Sequence, residues 1–217
     1  MQYRQTITVL IVDEQPIVRW GIQHFLQTQQ IRVIGEAQSL SEALVTLQHL
    51  EPDVIILDTI LPDADIVTAL QKLTTDKPRR ILAFSSKDSW DYVEKFINAG
   101  GLGFVPKRTE PDELVSAIIA VASNQPWISP SIRKITTGKT HVSDIKLSKR
   151  EREVVVLIAR GLTSRQIADQ LCVSLKTVET HRYRIFKHLN IQSRAELVNF
   201  AFEHGLLDSP ENHIQPK

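Results

Sequence analysis

The sequence has few sulfur ligands for a metal and no long apolar run that could cross a membrane. It contains a single cysteine among 217 residues, Cys172, which cannot form an internal disulfide. It has no Cys/His cluster with the spacing of a zinc site. No apolar run approaches the roughly 18 residues that span a bilayer, and the first residues lack the basic-then-apolar pattern of a signal peptide. These absences predict a protein of the reducing cytoplasm with no place in the membrane.

The formal net charge is only +1, but its distribution along the chain is uneven. Residues 1–127 contain 16 Asp and Glu against 11 Lys and Arg, a formal charge of −5. Residues 145–208 contain 7 against 11, a formal charge of +4. We therefore expect that only the second part of the chain approaches a polyanion.

The first part of the chain alternates short β-branched runs with helical patterns. Continuous apolar runs such as Val9–Val12 and Val54–Leu57 are typical of strands covered on both faces. Five strand–helix units in about 125 residues predict a doubly wound, five-stranded parallel sheet of α/β class. The predicted strands are 7–12, 31–37, 53–57, 80–85 and 103–105, and the predicted helices are 16–29, 39–50, 64–73, 88–99 and 110–123.

A polar segment with Pro130 and Gly138 separates this part from an all-helical part. We predict a first domain over 1–127, a linker over 128–144, a helical domain over 145–208 and a loose tail over 209–217. Capping residues predict four helices near 149–160, 164–171, 175–189 and 194–204. The signals are three capping boxes, a further N-cap and two glycine stops: Ser148/Glu151, Thr163/Gln166, Ser193/Glu196, Ser174, Gly161 and Gly205.

Polar residues stand at the ends of four predicted strands. Asp13 and Glu14 follow the first strand, Asp58 ends the third, Ser85 closes the fourth and Lys107 follows the fifth. In a doubly wound sheet these carboxyl ends meet at one edge. Crowded carboxylates repel one another unless a cation is present, and Mg²⁺ prefers oxygen ligands. Each residue alone is ordinary in a loop, but together they predict a Mg²⁺ site where a carboxylate attacks a phosphoryl group.

Three segments resemble the receiver domain of response regulators, and the resemblance spans residues 5–125. They are Val9-Leu-Ile-Val-Asp-Glu-Gln-Pro, Pro52-Asp-Val-Ile-Ile-Leu-Asp-Thr-Ile-Leu-Pro62 and Ala99-Gly-Gly-Leu-Gly-Phe-Val-Pro-Lys107. The resemblance implies that Asp58 is the phosphoacceptor. It implies further roles for Asp13, Glu14 and the Ile60 backbone carbonyl as Mg²⁺ ligands with Asp58, for Lys107 as the phosphoryl contact, for Ser85 as the switch hydroxyl, and for Phe104 as the switch aromatic.

One loop departs from the family pattern. A glycine usually lies a few residues beyond the proline after the phosphoacceptor, but the run from Pro62 to Val67 has none. Asp63 and Asp65 also add acid near the predicted site. A second hypothesis is therefore a pseudo-receiver, in which protein contacts or a ligand replace phosphorylation.

The third predicted helix of the second part has two different sides. Residues at spacings of three, seven and four predict a core side: Leu175, Val178, Ile185 and Leu189. The opposite stripe mixes groups that contact bases and groups that contact phosphates: Lys176, Glu179, Thr180, Tyr183 and Lys187, flanked by His181, Arg182 and Arg184. The short connection Cys172-Val-Ser174 before it is consistent with a helix-turn-helix.

Four segments between 147 and about 206 resemble the LuxR-type helix-turn-helix. They are Leu147-Ser-Lys-Arg-Glu-Arg-Glu-Val, Gly161-Leu-Thr-Ser-Arg-Gln-Ile-Ala, Val173-Ser-Leu-Lys-Thr-Val-Glu-Thr-His-Arg and Leu189-Asn-Ile-Gln-Ser-Arg-Ala-Glu-Leu. The resemblance implies base contacts for Glu179, Thr180 and Tyr183, and phosphate contacts for Arg165, Lys176, Thr177, His181 and Arg184. It also implies a dimerisation stripe of Leu197, Val198 and Ala201, and we expect Cys172 to be a small buried turn residue.

Together the two parts resemble the NarL/FixJ class of response regulators. The resemblance implies a transcription factor that binds double-stranded DNA as a homodimer and receives its phosphoryl group from a sensor histidine kinase or a small-molecule phosphodonor. A third hypothesis, an enzyme, lacks support. The chain has neither a GxGxxG nor a GxxxxGK[ST] loop, and no second Asp follows two residues after Asp58. We therefore expect no catalytic residues.

Overall fold

The computed structural model describes residues 6–132 and 147–207, which belong to two compact units. The first unit extends to Ser129. Residues 133–144 of the predicted linker and the predicted tail lie outside the described residues. Within the described ranges, no helix is long and apolar enough to cross a membrane.

The first unit contains a six-stranded parallel sheet in the order β2-β1-β3-β4-β5-β6. The doubly wound class is as predicted, but the strand count is one higher than expected. The extra strand pairs Trp127 with Gly103 and Ile128 with Phe104, so the sheet takes up the first residue of the predicted linker. The strands are β1 Ile7–Val12, β2 Ile31–Ala37, β3 Val54–Leu57, β4 Ile81–Ser85, β5 Gly103–Pro106 and β6 Trp127–Ile128.

Five helices cover the two faces of this sheet. Strands β1 and β3 are almost fully buried from Val9 to Val12 and from Val54 to Leu57, as their continuous apolar runs predict. On one face, helices α1 and α5 share a buried cluster with alternate residues of these strands. The helices are α1 Pro16–Gln27, α2 Leu40–Thr46, α3 Ile66–Leu73, α4 Trp90–Asn98 and α5 Pro111–Ala122.

The strand order changes direction between β1 and β3. From β1 the chain runs outward to β2 and then returns to form β3 on the other side of β1. Ligand sites in such sheets lie at the carboxyl ends of the two strands that flank this change. Asp13 follows β1 and Asp58 follows β3, so the topology places the two carboxylates side by side.

The loop after Pro62 is regular without a glycine. No described residue from 62 to 67 has a positive φ, and Ile66 forms the buried first turn of α3. Asp65 caps α3 by accepting hydrogen bonds from the Val67 and Thr68 amides. Asp63 accepts hydrogen bonds from the amides of Leu40 and Ser41, at the start of α2. Both acids therefore bind helix N-termini, a contact that the sequence did not predict.

These contacts act on the pKa values of the two acids. Burial opposes ionisation of Asp63, but the hydrogen bonds from Ser41 and Leu40 outweigh it and lower its pKa. The hydrogen bonds from Thr68 lower the pKa of Asp65. Both carboxylates are thus ionised when they hold the helix ends.

The second unit consists of four helices, α6 Lys149–Ala159, α7 Ser164–Leu171, α8 Leu175–His188 and α9 Arg194–Glu203. The predicted capping boxes at Ser148 and Thr163 are both present, and Ser174 caps α8. The third predicted box is only half formed. Ser193 caps α9, but the Glu196 carboxylate accepts its hydrogen bond from the Gln192 amide, one residue earlier than expected.

A buried arginine closes the end of α6. Arg194, the first residue of α9, donates hydrogen bonds to the carbonyls of Ile158 and Ala159 at 3.1 and 2.9 Å. Burial lowers its pKa to about 10, so it remains a cation at neutral pH. A cation is favourable here because the C-terminus of a helix carries partial negative charge. Gly161 follows with φ of +84°, and a Cβ there would lie 3.1 Å from Arg194 Nη2.

We predict that Gly161→Ala destabilises the protein more than Gly205→Ala does. Both positions have positive φ, so each substitution costs about 1 kcal/mol of backbone strain. Only Gly161 also has Arg194 against the new methyl group, whereas nothing lies within 4 Å of Gly205. Denaturant unfolding of the full chain measures both free energies. Equal losses would show that the Arg194 contact contributes nothing.

Candidate functional sites

Three charged side chains converge at the sheet edge, and we call Asp13, Asp58 and Lys107 the acidic site. Lys107 Nζ lies 2.7 Å from Asp13 Oδ2 and 2.7 Å from Asp58 Oδ2. Asp13 is 2% exposed and Asp58 is 3% exposed. The structure thus brings together three of the residues that the sequence placed at separate strand ends.

Local turns fix the orientation of both carboxylates. Asp13 Oδ1 accepts a hydrogen bond from the Gln15 amide at 2.9 Å, and Asp58 Oδ1 accepts one from the Ile60 amide at 3.1 Å. The second oxygen of each carboxylate therefore faces Lys107. Arg19 of α1 adds a clamp that the sequence did not predict, since its guanidinium donates to the Asp13 carbonyl at 2.6 Å.

The acidic site carries one ammonium for two buried carboxylates. Burial opposes protonation of Lys107, but its hydrogen bonds with Asp13 and Asp58 outweigh burial and raise its pKa above the ordinary value of 10.5. The lysine is therefore charged throughout the physiological range. One negative charge remains uncompensated, and a buried charge of this kind favours a second cation.

The predicted Mg²⁺ ligands differ in burial. Glu14 is exposed, whereas Asp13 and Asp58 are buried, and the role of Glu14 stays a prediction. The described residues contain no group of three acidic, His or Cys side chains that could hold a metal ion. After the Asp13 turn the chain enters α1 at Pro16, and Glu14 remains on the outside of that turn. Asp13 and Asp58 nevertheless fit Mg²⁺, which takes one or two carboxylates and keeps several waters. The Ile60 amide hydrogen-bonds Asp58, and the predicted contribution of the Ile60 carbonyl stays a prediction.

The two predicted switch residues are buried next to this edge. Ser85 is fully buried, its carbonyl accepts the Lys107 amide at 2.8 Å, and its hydroxyl oxygen accepts the Lys87 amide at 3.0 Å. Phe104 is also fully buried and packs edge-on against Phe96 of α4, with ring centroids 5.6 Å apart. Thr59 is a neighbour that the sequence did not predict, and its hydroxyl hydrogen-bonds that of Ser85.

Helix α8 presents one polar side to solvent. All five residues of the predicted stripe are exposed: Lys176, Glu179, Thr180, Tyr183 and Lys187. Val178, Ile185 and Leu189 are buried, as predicted, but Leu175 is 51% exposed and the prediction for it is wrong. Leu175 is the first residue of the helix, one turn before Val178, where the buried side has not yet begun.

The predicted phosphate contacts differ in how accessible they are. Arg165, Lys176, Thr177 and Arg184 are exposed. His181 is partly buried, and its Nδ1 has no hydrogen-bond partner among the described residues. The Thr177 hydroxyl lies 2.8 Å from the Ser174 hydroxyl and therefore takes part in the N-cap of α8.

The remaining predictions for the second unit need correction. Cys172 occupies a left-handed turn position with φ of +53°, as a turn residue should, but it is exposed rather than buried. The predicted dimerisation residues Leu197, Val198 and Ala201 are fully buried, and α9 packs against α6. Fully buried side chains are not available to a second copy, so the structure places this stripe in the core.

Both units match known families. Residues 9–119 match the family described as response regulator receiver domain, and residues 145–201 match the family described as bacterial regulatory proteins, luxR family. The response regulator GacA of Pseudomonas aeruginosa is 33% identical over 211 residues, which is 94% of this chain and 99% of GacA. The response regulator VraR of Staphylococcus aureus is 31% identical over 208 residues, which is 93% of this chain and 99% of VraR.

A solved structure has the same fold. It is the RcsB response regulator of Salmonella typhimurium, which is 25% identical, with a TM-score of 0.56, over 90% of this chain and 97% of RcsB. The chain therefore belongs to the response regulators that join a receiver domain to a LuxR-type helix-turn-helix domain. This confirms the predicted family and the predicted fold class.

We predict that Lys107→Met destabilises the protein by about 3 kcal/mol at pH 7, because it leaves two buried carboxylates without a cation. Asp58→Asn is the matched change, since it removes one anion and leaves Lys107 paired with Asp13. It should not lower the free energy of unfolding. The comparison is made by denaturant unfolding without divalent cations.

The effect of Lys107→Met should also depend on pH in a defined way. Because the folded-state pKa of Lys107 is raised, its stabilising contribution is complete below 10.5 and is lost only as the pH rises through the folded-state value. The difference between wild type and Lys107→Met should therefore stay constant from pH 7 to pH 9. A decline within that range would contradict the assigned charge of Lys107.

Proposed function

We propose that this response regulator binds specific DNA sequences under the control of phosphorylation at Asp58. The observation that carries the proposal is the convergence of Asp13, Asp58 and Lys107 at the carboxyl ends of β1, β3 and β5. Buried carboxylates held by one cation form a site suited to a small, highly charged group.

In the proposed reaction a carboxylate oxygen of Asp58 attacks phosphorus and forms an aspartyl phosphate, and the donor leaves with its bonding electrons. A bound Mg²⁺ would supply positive charge to the phosphoryl oxygens. The Lys107 ammonium pairs with the negative charge of the phosphoryl group, and the Ser85 hydroxyl donates a hydrogen bond to one of the phosphoryl oxygens. The Ile60 amide keeps Asp58 in place. The phosphodonor is a sensor histidine kinase or a small molecule.

The regular loop after Pro62 bears on the choice between phosphorylation and a pseudo-receiver. Its missing glycine was the main support for a pseudo-receiver. Asp65 caps α3, and no described residue of the loop has a positive φ. The loop therefore needs no glycine for its backbone conformation. The protein acts on its own phosphoryl group and turns over no separate substrate in this proposal.

We propose that α8 enters the major groove of double-stranded DNA. Recognition helices contact base edges with their N-terminal residues, while basic side chains hold phosphates. Glu179, Thr180 and Tyr183 then reach base edges, whereas Arg165, Lys176, Thr177, His181 and Arg184 contact phosphates. The solved RcsB structure was studied for DNA interaction, which supports this reading.

Two copies are expected on the DNA, and the protein works in the cytoplasm, where its DNA and its phosphodonor are found. Because Leu197, Val198 and Ala201 are fully buried, we expect the contact between the copies to use another surface.

We predict that a small acyl phosphate labels the protein at Asp58 in a Mg²⁺-dependent reaction, and that Asp58→Asn abolishes the label. Asp63→Asn is the control, because Asp63 binds the start of α2 and should leave labelling unchanged. Intact-mass measurement detects the added phosphoryl group, and peptide mapping after reductive trapping locates it. Absence of any label, or a label elsewhere, would sink the proposal.

We predict that two substitutions on α8 affect DNA binding differently. Glu179→Ala should relax the preference at one base pair by about 1–3 kcal/mol. Arg184→Ala should weaken binding to all sequences alike and reduce the slope of log affinity against log salt by about 1. Lys72→Ala, which removes the same charge from α3 of the first unit, is the control. Binding to randomised duplexes at several salt concentrations separates these outcomes.

A further inference from the structure

Thr59 lies between the phosphoacceptor and helix α4. It follows Asp58 directly and is 3% exposed. The parallel register pairs Leu57 with Ala83, so two residues further along it places Thr59 opposite Ser85. Nothing in the receiver resemblance gave Thr59 a role.

The side chain of Thr59 binds the hydroxyl of Ser85. The two hydroxyl oxygens are within hydrogen-bond distance and both are buried. Ser85 Oγ also accepts the Lys87 amide at 3.0 Å. A serine hydroxyl has one hydrogen to donate and two lone pairs to accept with. The bond to Thr59 therefore holds Ser85 in its present position.

The main chain of Thr59 binds α4. Tyr92, in the first turn of α4, donates its phenolic hydrogen to the Thr59 carbonyl at 3.0 Å. Four residues later, Phe96 packs against Phe104. Thr59 thus contacts the Ser85 hydroxyl through its side chain and helix α4 through its backbone carbonyl.

We propose that Thr59 is a positioning residue that opposes the switch, because it competes with the phosphoryl group for the Ser85 hydroxyl, and that Tyr92 carries the outcome to α4. When Ser85 turns toward a phosphoryl group on Asp58, the buried Thr59 hydroxyl loses its partner. An unpaired buried hydroxyl is unfavourable. Thr59 therefore biases the protein toward its present arrangement. This inference rests on phosphorylation at Asp58.

The test measures the affinity of the full chain for beryllofluoride, a phosphoryl mimic, in the presence of Mg²⁺. Thr59→Val removes the hydroxyl but keeps the shape and the backbone carbonyl. It should bind beryllofluoride about 2- to 10-fold more tightly, the range that corresponds to one buried neutral hydrogen bond. Thr59→Ser, which keeps the hydroxyl, should restore the wild-type affinity. Equal or weaker binding by Thr59→Val overturns the proposal.

A double-mutant cycle with Ser85→Ala separates competition for the Ser85 hydroxyl from a general structural effect of Thr59→Val. In a Ser85→Ala background, Thr59→Val should leave the affinity unchanged, because there is no hydroxyl left to compete for. The same gain in both backgrounds would overturn the proposal. Thr74→Val is the matched control. The Thr74 hydroxyl donates to the Leu70 carbonyl of its own helix and does not contact Ser85. If Thr59→Val does not fold, Thr59→Ala is measured in the same cycle.

The contribution of Tyr92 is tested by hydrogen exchange of the α4 amides with and without beryllofluoride. Tyr92→Phe should still bind the mimic, but the exchange change that the mimic produces in α4 of the wild type should be lost. If the exchange change in α4 persists in Tyr92→Phe, the proposed role of Tyr92 is wrong. If wild type is not labelled at Asp58 and does not bind beryllofluoride, the proposed function fails. If it does both and the Thr59 variants match it, only this inference fails.

Discussion

The ammonium group of Lys107, shared between two buried carboxylates, is the interaction on which the first unit depends. It joins the ends of three strands that are distant in sequence, at the point where the strand order changes direction. Hydrogen bonds from two turns aim the carboxylates at the ammonium, and a shared backbone contact ties Ser85 to Lys107. The site is therefore a product of topology, since no local segment contains all of its parts.

Much of this topology follows from the sequence, because apolar runs and strand ends are local signals with a global consequence. A parallel sheet gathers its carboxyl ends, so Asp13, Asp58, Ser85 and Lys107 were predictable as neighbours. The position of Glu14 was less predictable, because the direction of a side chain two residues past a strand depends on the turn that follows. Leu175 and β6 were missed for a related reason: periodicity says little at the first residue of a helix or over a two-residue strand.

The backbone amide that each acidic side chain binds was beyond sequence reasoning. The run after Pro62 reads as irregular until Asp63 is seen to bind the start of α2 and Asp65 to cap α3. Likewise, Glu196 serves the amide of Gln192 rather than that of Ser193. Only Glu196 was predicted to cap a helix, and in each case the folded structure decided which amide donates to the carboxylate. The buried stripe of α9 shows the same limit, because an apolar face does not reveal what covers it.

The Arg194 contact with the end of α6 sets a minimum length for the second unit. The proposed recognition helix α8 and its turn are complete by His188, yet the Arg194 guanidinium that donates to the carbonyls of Ile158 and Ala159 comes from the first residue of α9. A graft of this helix-turn-helix onto another protein must therefore include α9. During synthesis, moreover, the end of α6 lacks the Arg194 cation until the chain has passed residue 194.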